Sequence, residues 1–357
     1  MQKVLPVGKL PPRLLEALLG SCPASRSSRV ILGPRYGEDA AVIDMGSRYL
    51  VAKTDPITLT AERPGWYVVN INANDVASLG ARPRWFLATL LLPEGHTTAT
   101  LARRIFRDIV RACGALGITL CGGHTEITAG LSRPILVGQM LGEVPRGRLV
   151  RKESQRPGDL VLLTKGIAIE GTAILARQEY RLLAGKLGKT MVRRAQGLLL
   201  NLSVVREALL AARLSGIHAM HDPTEGGLAS GLHELARAGK VGLRVWKQKI
   251  PILAETQAFS QILGFDPMGL IASGSLLVVA SPQATQRVRR LWSRNKIPSA
   301  IIGEVRGKNE GIRIVDEGQE RTLRVPARDE LARLLTGMTS SRKLKEIEEK
   351  YNAFLFR

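Results

Sequence analysis

Residues 72–83 read Asn72-Ala-Asn74-Asp75-Val-Ala-Ser-Leu79-Gly80-Ala-Arg-Pro83, and the fold is read outward from this stretch. Val68, Ile71, Val76 and Leu79 fall near helical spacing, so a helix is expected from Gly65 to Leu79, stopped by Gly80. Downstream, the apolar run Trp85–Leu92 closes at Pro93 and reads as a buried strand. Thr98–Leu116 then places Leu101, Ile105, Ile109, Cys113 and Leu116 on one helical stripe. Upstream, AAVID (40–44) and Tyr49–Thr54 are short Val/Ile-rich runs split by Gly46 and Ser47, a hairpin pattern. Strands are expected at Ile118–Cys121 and Ile135–Leu141, on either side of a Gly/Thr-rich loop.

A charged, proline-bearing stretch at 144–159 marks a boundary. Beyond it, strand patterns at 160–164, 243–246, 276–280, 300–305 and 312–315 alternate with helix patterns starting near Thr172 and covering 204–214, 228–238 and 283–293. The chain therefore reads as two α+β domains, 36–148 and 149–335. An N-terminal segment (1–35) and a tail (336–357) flank them, and Leu344, Ile347 and Tyr351 give the tail an amphipathic helical pattern.

At 357 residues, with 45% hydrophobic and 23% charged residues, the composition excludes wholesale disorder. No apolar run approaches a membrane span, and the three cysteines (Cys22, Cys113, Cys121) make neither a disulfide framework nor a CxxC metal motif. A soluble, cytoplasmic protein is expected, with no membrane association. Fifty-two basic against 31 acidic residues give a net charge of +21, which suits a polyanionic ligand. Aromatics make up only 4%, and no basic run is interleaved with them as a stacking platform requires. A nucleotide is favoured over nucleic acid.

Acidic residues recur beside small ones: Asp39 in GEDAAV, Asp55 in KTDP, Asp75 in NANDVASLGA, Glu126 in GGHTE and Asp222 in HDPTEGG. Carboxylates at strand ends without bulky neighbours suit hard cations such as Mg²⁺ beside phosphate, although each one singly is also ordinary turn chemistry. In Asp222-Pro-Thr-Glu-Gly-Gly227, Thr224 is a candidate N-cap, leaving the amides of Gly226, Gly227 and Leu228 as an anion site. His124 and His221 neighbour acids in these segments and read as general bases or phosphate donors, or as turn-holding hydrogen bonders. Neither a Walker loop nor GxGxxG is present.

In this order, GEDAAVI, TDP, NANDVASLGARP, GGHTE and HDPTEGGLASGLHELA resemble the motif series of the ATP-using superfamily named for aminoimidazole ribonucleotide (AIR) synthetase, the PurM-like enzymes. The resemblance runs from about Lys9 to about Val315 and is nearest to the hydrogenase expression/formation branch, which has arginine where this chain has Glu225. It implies a two-domain PurM-like fold. The N-terminal domain would build a dimeric β-barrel interface, and an α/β sandwich-like domain would follow.

The resemblance also implies an enzyme that uses Mg²⁺ and ATP to activate a carbonyl or amide-type oxygen of a small-molecule substrate. A small-molecule kinase of the thiamine-monophosphate type, or a non-catalytic ATP-binding accessory of metallocofactor maturation, are the alternatives. Asp39, Asp55, Asp75 and Asp222 would hold metal. Lys53, Asn72, Asn74, Gly122, Gly123, Thr125, Thr224, Gly226 and Gly227 would bind the nucleotide, and His124, Glu126 and His221 would be catalytic. A homodimer and a maturation partner protein are expected. Two features depart from the branch. It carries its carbamoyl group on a terminal cysteine, whereas this sequence ends Phe-Leu-Phe-Arg357 with Cys121 its last cysteine. His124 stands where the branch has aspartate.

Overall fold

The structure, a computed structural model, describes Leu5 and residues 10–22, 27–58, 60 and 62–337. The expected tail helix at 342–351 lies outside them. Its elements are α1 (Pro12–Gly20), β1 (Val30–Leu32), β2 (Ala41–Asp44), β3 (Arg48–Ile57), α2 (Pro64–Ser78), β4 (Arg82–Pro93), α3 (Ala99–Leu116), β5 (Thr119–Thr128) and β6 (Ile135–Pro145). There follow β7 (Leu160–Thr164), α4 (Ile169–Gln178), α5 (Tyr180–Leu187), α6 (Lys189–Gly197), α7 (Val205–Ala211), β8 (Ile217–His221), α8 (Gly227–Gly239) and β9 (Gly242–Trp246). The last are α9 (Ala254–Leu263), β10 (Leu277–Ala280), α10 (Pro282–Arg294), β11 (Ser299–Arg306), β12 (Ile312–Asp316), β13 (Gln319–Thr322) and α11 (Glu330–Gly337). Among the described residues no helix is long and apolar enough to cross a membrane.

The first sheet has the order β1-β2-β3-β6-β4-β5 and the second β13-β12-β9-β11-β7-β10-β8. Both are open, which corrects the expected barrel: β1 and β5 end the first sheet without meeting, so nothing closes it. The β2–β3 hairpin forms as its alternation requires, with Val42 opposite Val51. The two apolar runs of the N-terminal half are interior strands. Tyr49–Thr54 lies in β3 between β2 and β6, and Trp85–Leu92 lies in β4 between β6 and β5. Alternate residues there, Val51, Phe86, Ala88, Leu90 and Leu92, are buried, and the edges of the sheet are β1 and the exposed β5.

Helix α2 organises the molecule. Fourteen of its fifteen residues are buried, because it runs between the first sheet, α3 and the C-terminal elements α7 and β8. A helix covered on all sides cannot show a clean apolar stripe, and its Asn70, Asn72, Asn74, Asp75 and Ser78 are buried too. Its close approach to β6 depends on Gly138, where a Cβ would press into Val68 at 2.8 Å and the Phe86 ring at 2.9 Å. In α3 the Thr98 hydroxyl accepts from the Leu101 amide as N-cap, and Gly117 ends the helix in the left-handed conformation.

Candidate active site

Four elements converge on one buried carboxylate cluster. Asp75 comes from α2, Asp55 and Lys53 from β3, Asp39 from the loop before β2, and His221 and Asp222 from the end of β8. Lys53 Nζ stands 3.1 Å from Asp75 and 3.6 Å from Asp55. Lys152, 1% exposed, donates to Asp39 Oδ1 at 2.9 Å and to the Gly37 carbonyl at 2.5 Å. His221 sits between Asp39 (2.9 Å from Nδ1) and Glu234 of α8 (3.0 Å from Nε2), with Lys152 Nζ 3.1 Å from Nδ1. Ser78 of α2 donates to Asp222 Oδ1 at 3.4 Å.

Five carboxylates thus face three cationic side chains, and the pKa values register the shortfall. Burial works against charge on Asp39, but His221 and Lys152 outweigh it and hold Asp39 well below its ordinary value. Burial also opposes charge on Lys53 and His221, yet the neighbouring carboxylates raise both pKa values. The opposite outcome holds deeper in the cluster. Burial, opposed chiefly by Lys53 and reinforced by Asp55 and Asp39, pushes Asp75 up to about 7. Burial and repulsion from Asp75 and Asp39 lift Asp222 well above the carboxylate range, against Lys53 and Lys152.

A hard divalent cation fits this donor set. Asp39 Oδ2 and Asp222 Oδ2 are buried without hydrogen-bond partners, and Asp39, His221 and Asp222 each bring a ligand atom within 4.8 Å of the others. Unpartnered carboxylate oxygens are costly to bury, and a cation would satisfy them.

Several predicted residues lie elsewhere in the architecture. The GGHTE segment is the middle of strand β5 rather than a loop, because it pairs in parallel with β4. Gly123 is in register with Ala88, Gly138 and Asp55 across three strand spacings, so about 14 Å of sheet separates it from the cluster. Gly122, Thr125 and His124 lie on that exposed strand, where His124 faces Glu126 at 3.1 Å and Thr128 donates to Glu126 at 2.8 Å.

Asn72 donates to the Asp55 and Val68 carbonyls, while its Oδ1 is buried without a partner. Asn74 is held at both ends by backbone of the C-terminal half: Nδ2 donates to the Leu202 carbonyl at 2.9 Å, and Oδ1 accepts from the Val204 amide at 2.8 Å.

The N-cap of α8 is Gly226, in the left-handed conformation, rather than Thr224, whose carbonyl instead accepts from the Gly227 and Ala272 amides. The Gly226 amide donates to Asp329 Oδ2 at 2.6 Å, so a carboxylate of this chain already sits on that helix end. Gly227 also has positive φ, and a Cβ there would meet the Met268 carbonyl at 2.5 Å. The sequence reading missed Lys152, Glu234 and Ser78, which complete the cluster.

Comparisons with known proteins place this site in a family. Residues 37–144 match the AIR synthase related protein N-terminal domain, and residues 156–316 match the C-terminal domain of the same family. Carbamoyl dehydratase HypE of Rhodobacter capsulatus is 30% identical over 296 residues, 78% of this chain and 84% of that protein. A HypE–HypF complex has a similar fold, with TM-score 0.71, 20% identity and coverage of 88% and 99% of the two chains. A hydrogenase maturation protein HypE in complex with ATP gives TM-score 0.64, 21% identity and coverage of 90% and 93%. The chain is an enzyme of the AIR synthase related, PurM-like family, with carbamoyl dehydratase HypE among its relatives.

Proposed function

We propose that the protein is a Mg²⁺- and ATP-dependent enzyme that activates a carbonyl or amide-type oxygen of a small molecule by phosphoryl transfer from ATP. The carrying observation is the buried cluster with its two unpartnered oxygens, Asp39 Oδ2 and Asp222 Oδ2, in a family whose relatives include an ATP complex. Asp39, Asp55, Asp75 and Asp222 would hold Mg²⁺, which when bound supplies positive charge for the phosphates. Lys53 adds a fixed positive charge beside Asp55 and Asp75. Lys152 and His221 keep Asp39 ionised, and the Ser78 hydroxyl orients Asp222. Catalysis of this kind rests on positioning and charge neutralisation, with no covalent intermediate on the protein.

Two copies would meet along β5, whose outer edge is open and exposes Ile127 at 58%. A maturation partner protein belongs to the same reading, since a structure of similar fold is a HypE–HypF complex. Calorimetric titration of ATP with Mg²⁺ and then with chelator tests the nucleotide step. A metabolite screen for stimulated ATP turnover tests the acceptor. Tight ATP binding indifferent to Mg²⁺ would overturn the reading, and light scattering checks the dimer.

A further inference from the structure

Beside Asp55, where β3 ends against the C-terminal domain, a recess of about 30 Å³ has eleven lining residues, among them Asp55, Glu170, Thr224, Glu225, Ile271 and Ser273. Three of these side chains are acidic and no basic residue lines the recess, in a chain that carries +21 overall. Glu170, 3% exposed, opens α4, and Ser273 is fully buried. Ser273 lies close enough to Glu170 to lower its pKa, yet Glu170 Oε2 and Ser273 Oγ have no hydrogen bond of good geometry to each other or to any other group. They form one wall because the Glu170 amide donates to the Ser273 carbonyl at 3.2 Å and the Gly171 amide to the Ile271 carbonyl at 3.1 Å.

The same two bonds remove the donors that an anion would need. The Glu170 and Gly171 amides of the α4 N-terminus are taken by carbonyls, and the Gly226 amide of α8 is taken by Asp329. A phosphate or carboxylate entering here would meet three carboxyl groups, with only the hydroxyls of Thr58, Thr60, Thr224 and Ser273 able to donate. A water-sized group rich in N–H donors finds the reverse, because about 30 Å³ accommodates little more than a water-sized head.

We infer that this recess takes a primary ammonium group of the substrate, with Glu170 Oε2 and Ser273 Oγ as acceptors and the acidic lining supplying the counter-charge. The assignment rests on the reading of the neighbouring cluster as the reaction site, and it specifies the acceptor as an amine-bearing molecule. Burial, opposed by Ser273 and reinforced by Glu225, Asp329 and Asp55, pushes Glu170 up to about 8, so the empty recess is short of positive charge.

The test is saturation-transfer NMR on the full chain with methylammonium, acetate and potassium, using wild type, Glu170→Gln and Ser273→Ala. A chain of +21 repels small cations, so non-specific background is low. Methylammonium should bind saturably, acetate should not bind, and potassium should not displace methylammonium. Glu170→Gln should weaken methylammonium at least tenfold and Ser273→Ala several-fold, with Mg²⁺-ATP affinity within threefold of wild type in both. Wild-type methylammonium binding that is absent, indifferent to both substitutions, or displaced by equimolar potassium would overturn the assignment. Selective methylammonium binding in a protein that does not bind Mg²⁺-ATP would leave the recess standing and fail the reaction-site reading instead.

Discussion

The cluster beneath α2 and strand β5 share one sequence texture, small residues flanking an acid with a histidine close by, and have opposite physical fates. His221 is buried between two carboxylates and a lysine, each charge held by another. His124 stands with its side chain 64% exposed, paired only with Glu126 two residues on. A charge on β5 is screened by water and contributes little, whereas a charge beneath α2 is uncompensated unless a partner meets it. Chemical potential in this fold comes from where the strands carry a motif.

Removing a partner from the buried side should therefore cost most. Lys152→Met leaves Asp39 and His221 without their lysine and is expected to destabilise the fold by about 3–5 kcal/mol in denaturant unfolding. A loss below about 1 kcal/mol would mean that the cluster tolerates open charge and the contrast with β5 fails.

Next comes Asp75→Asn, which keeps shape and removes a negative charge. Mg²⁺-dependent ATP affinity should fall by about a hundredfold, near 2.7 kcal/mol, with the far-UV spectrum unchanged. Calorimetry showing unaltered affinity would remove Asp75 from the site.

The third prediction concerns pH. Glu170 is pushed up to about 8 in the fold by burial, against its ordinary 4.5. Between these values the native state holds a proton that the unfolded chain has released, so stability falls as pH rises from about 5 to 8. The slope from this group is at most about 1.4 kcal/mol per pH unit. Glu170→Gln should flatten it, read from urea midpoints across that range. His221, also raised, adds to the loss above its ordinary pKa of 6.5. The smallest effect is expected on the exposed side: His124→Ala should change stability by less than about 0.5 kcal/mol.

These contrasts also measure how much could be read from sequence. The α2 and α3 helices, the β2–β3 hairpin and most strands of the second sheet follow from local periodicity and their end signals. The four aspartates were legible because acids flanked by small residues recur along the chain in one ordered series, although each one singly is ordinary turn chemistry. Lys152 was not, because in RGRLVRKESQRPGD it looks like one more solvated charge. Only packing against Gly37, Asp39 and His221 buries it. GGHTE was read as a loop because its two glycines outweigh its single β-branched residue, Thr125, locally, while pairing with β4 decides the matter from outside the segment. Glu170 and Ser273 lie far apart in sequence and meet only through the α4 backbone contact, a tertiary event with no local signal.

The pair of hydrogen bonds between Asn74 and the backbone of Leu202 and Val204 has a mechanical consequence. It fastens the central helix of one half to the chain of the other at a fully buried side chain. Rocking of the two sheets about α2 would have to break both bonds. A change of shape on ligand entry is therefore expected to cost less in the short segment between β8 and α8 than between the halves.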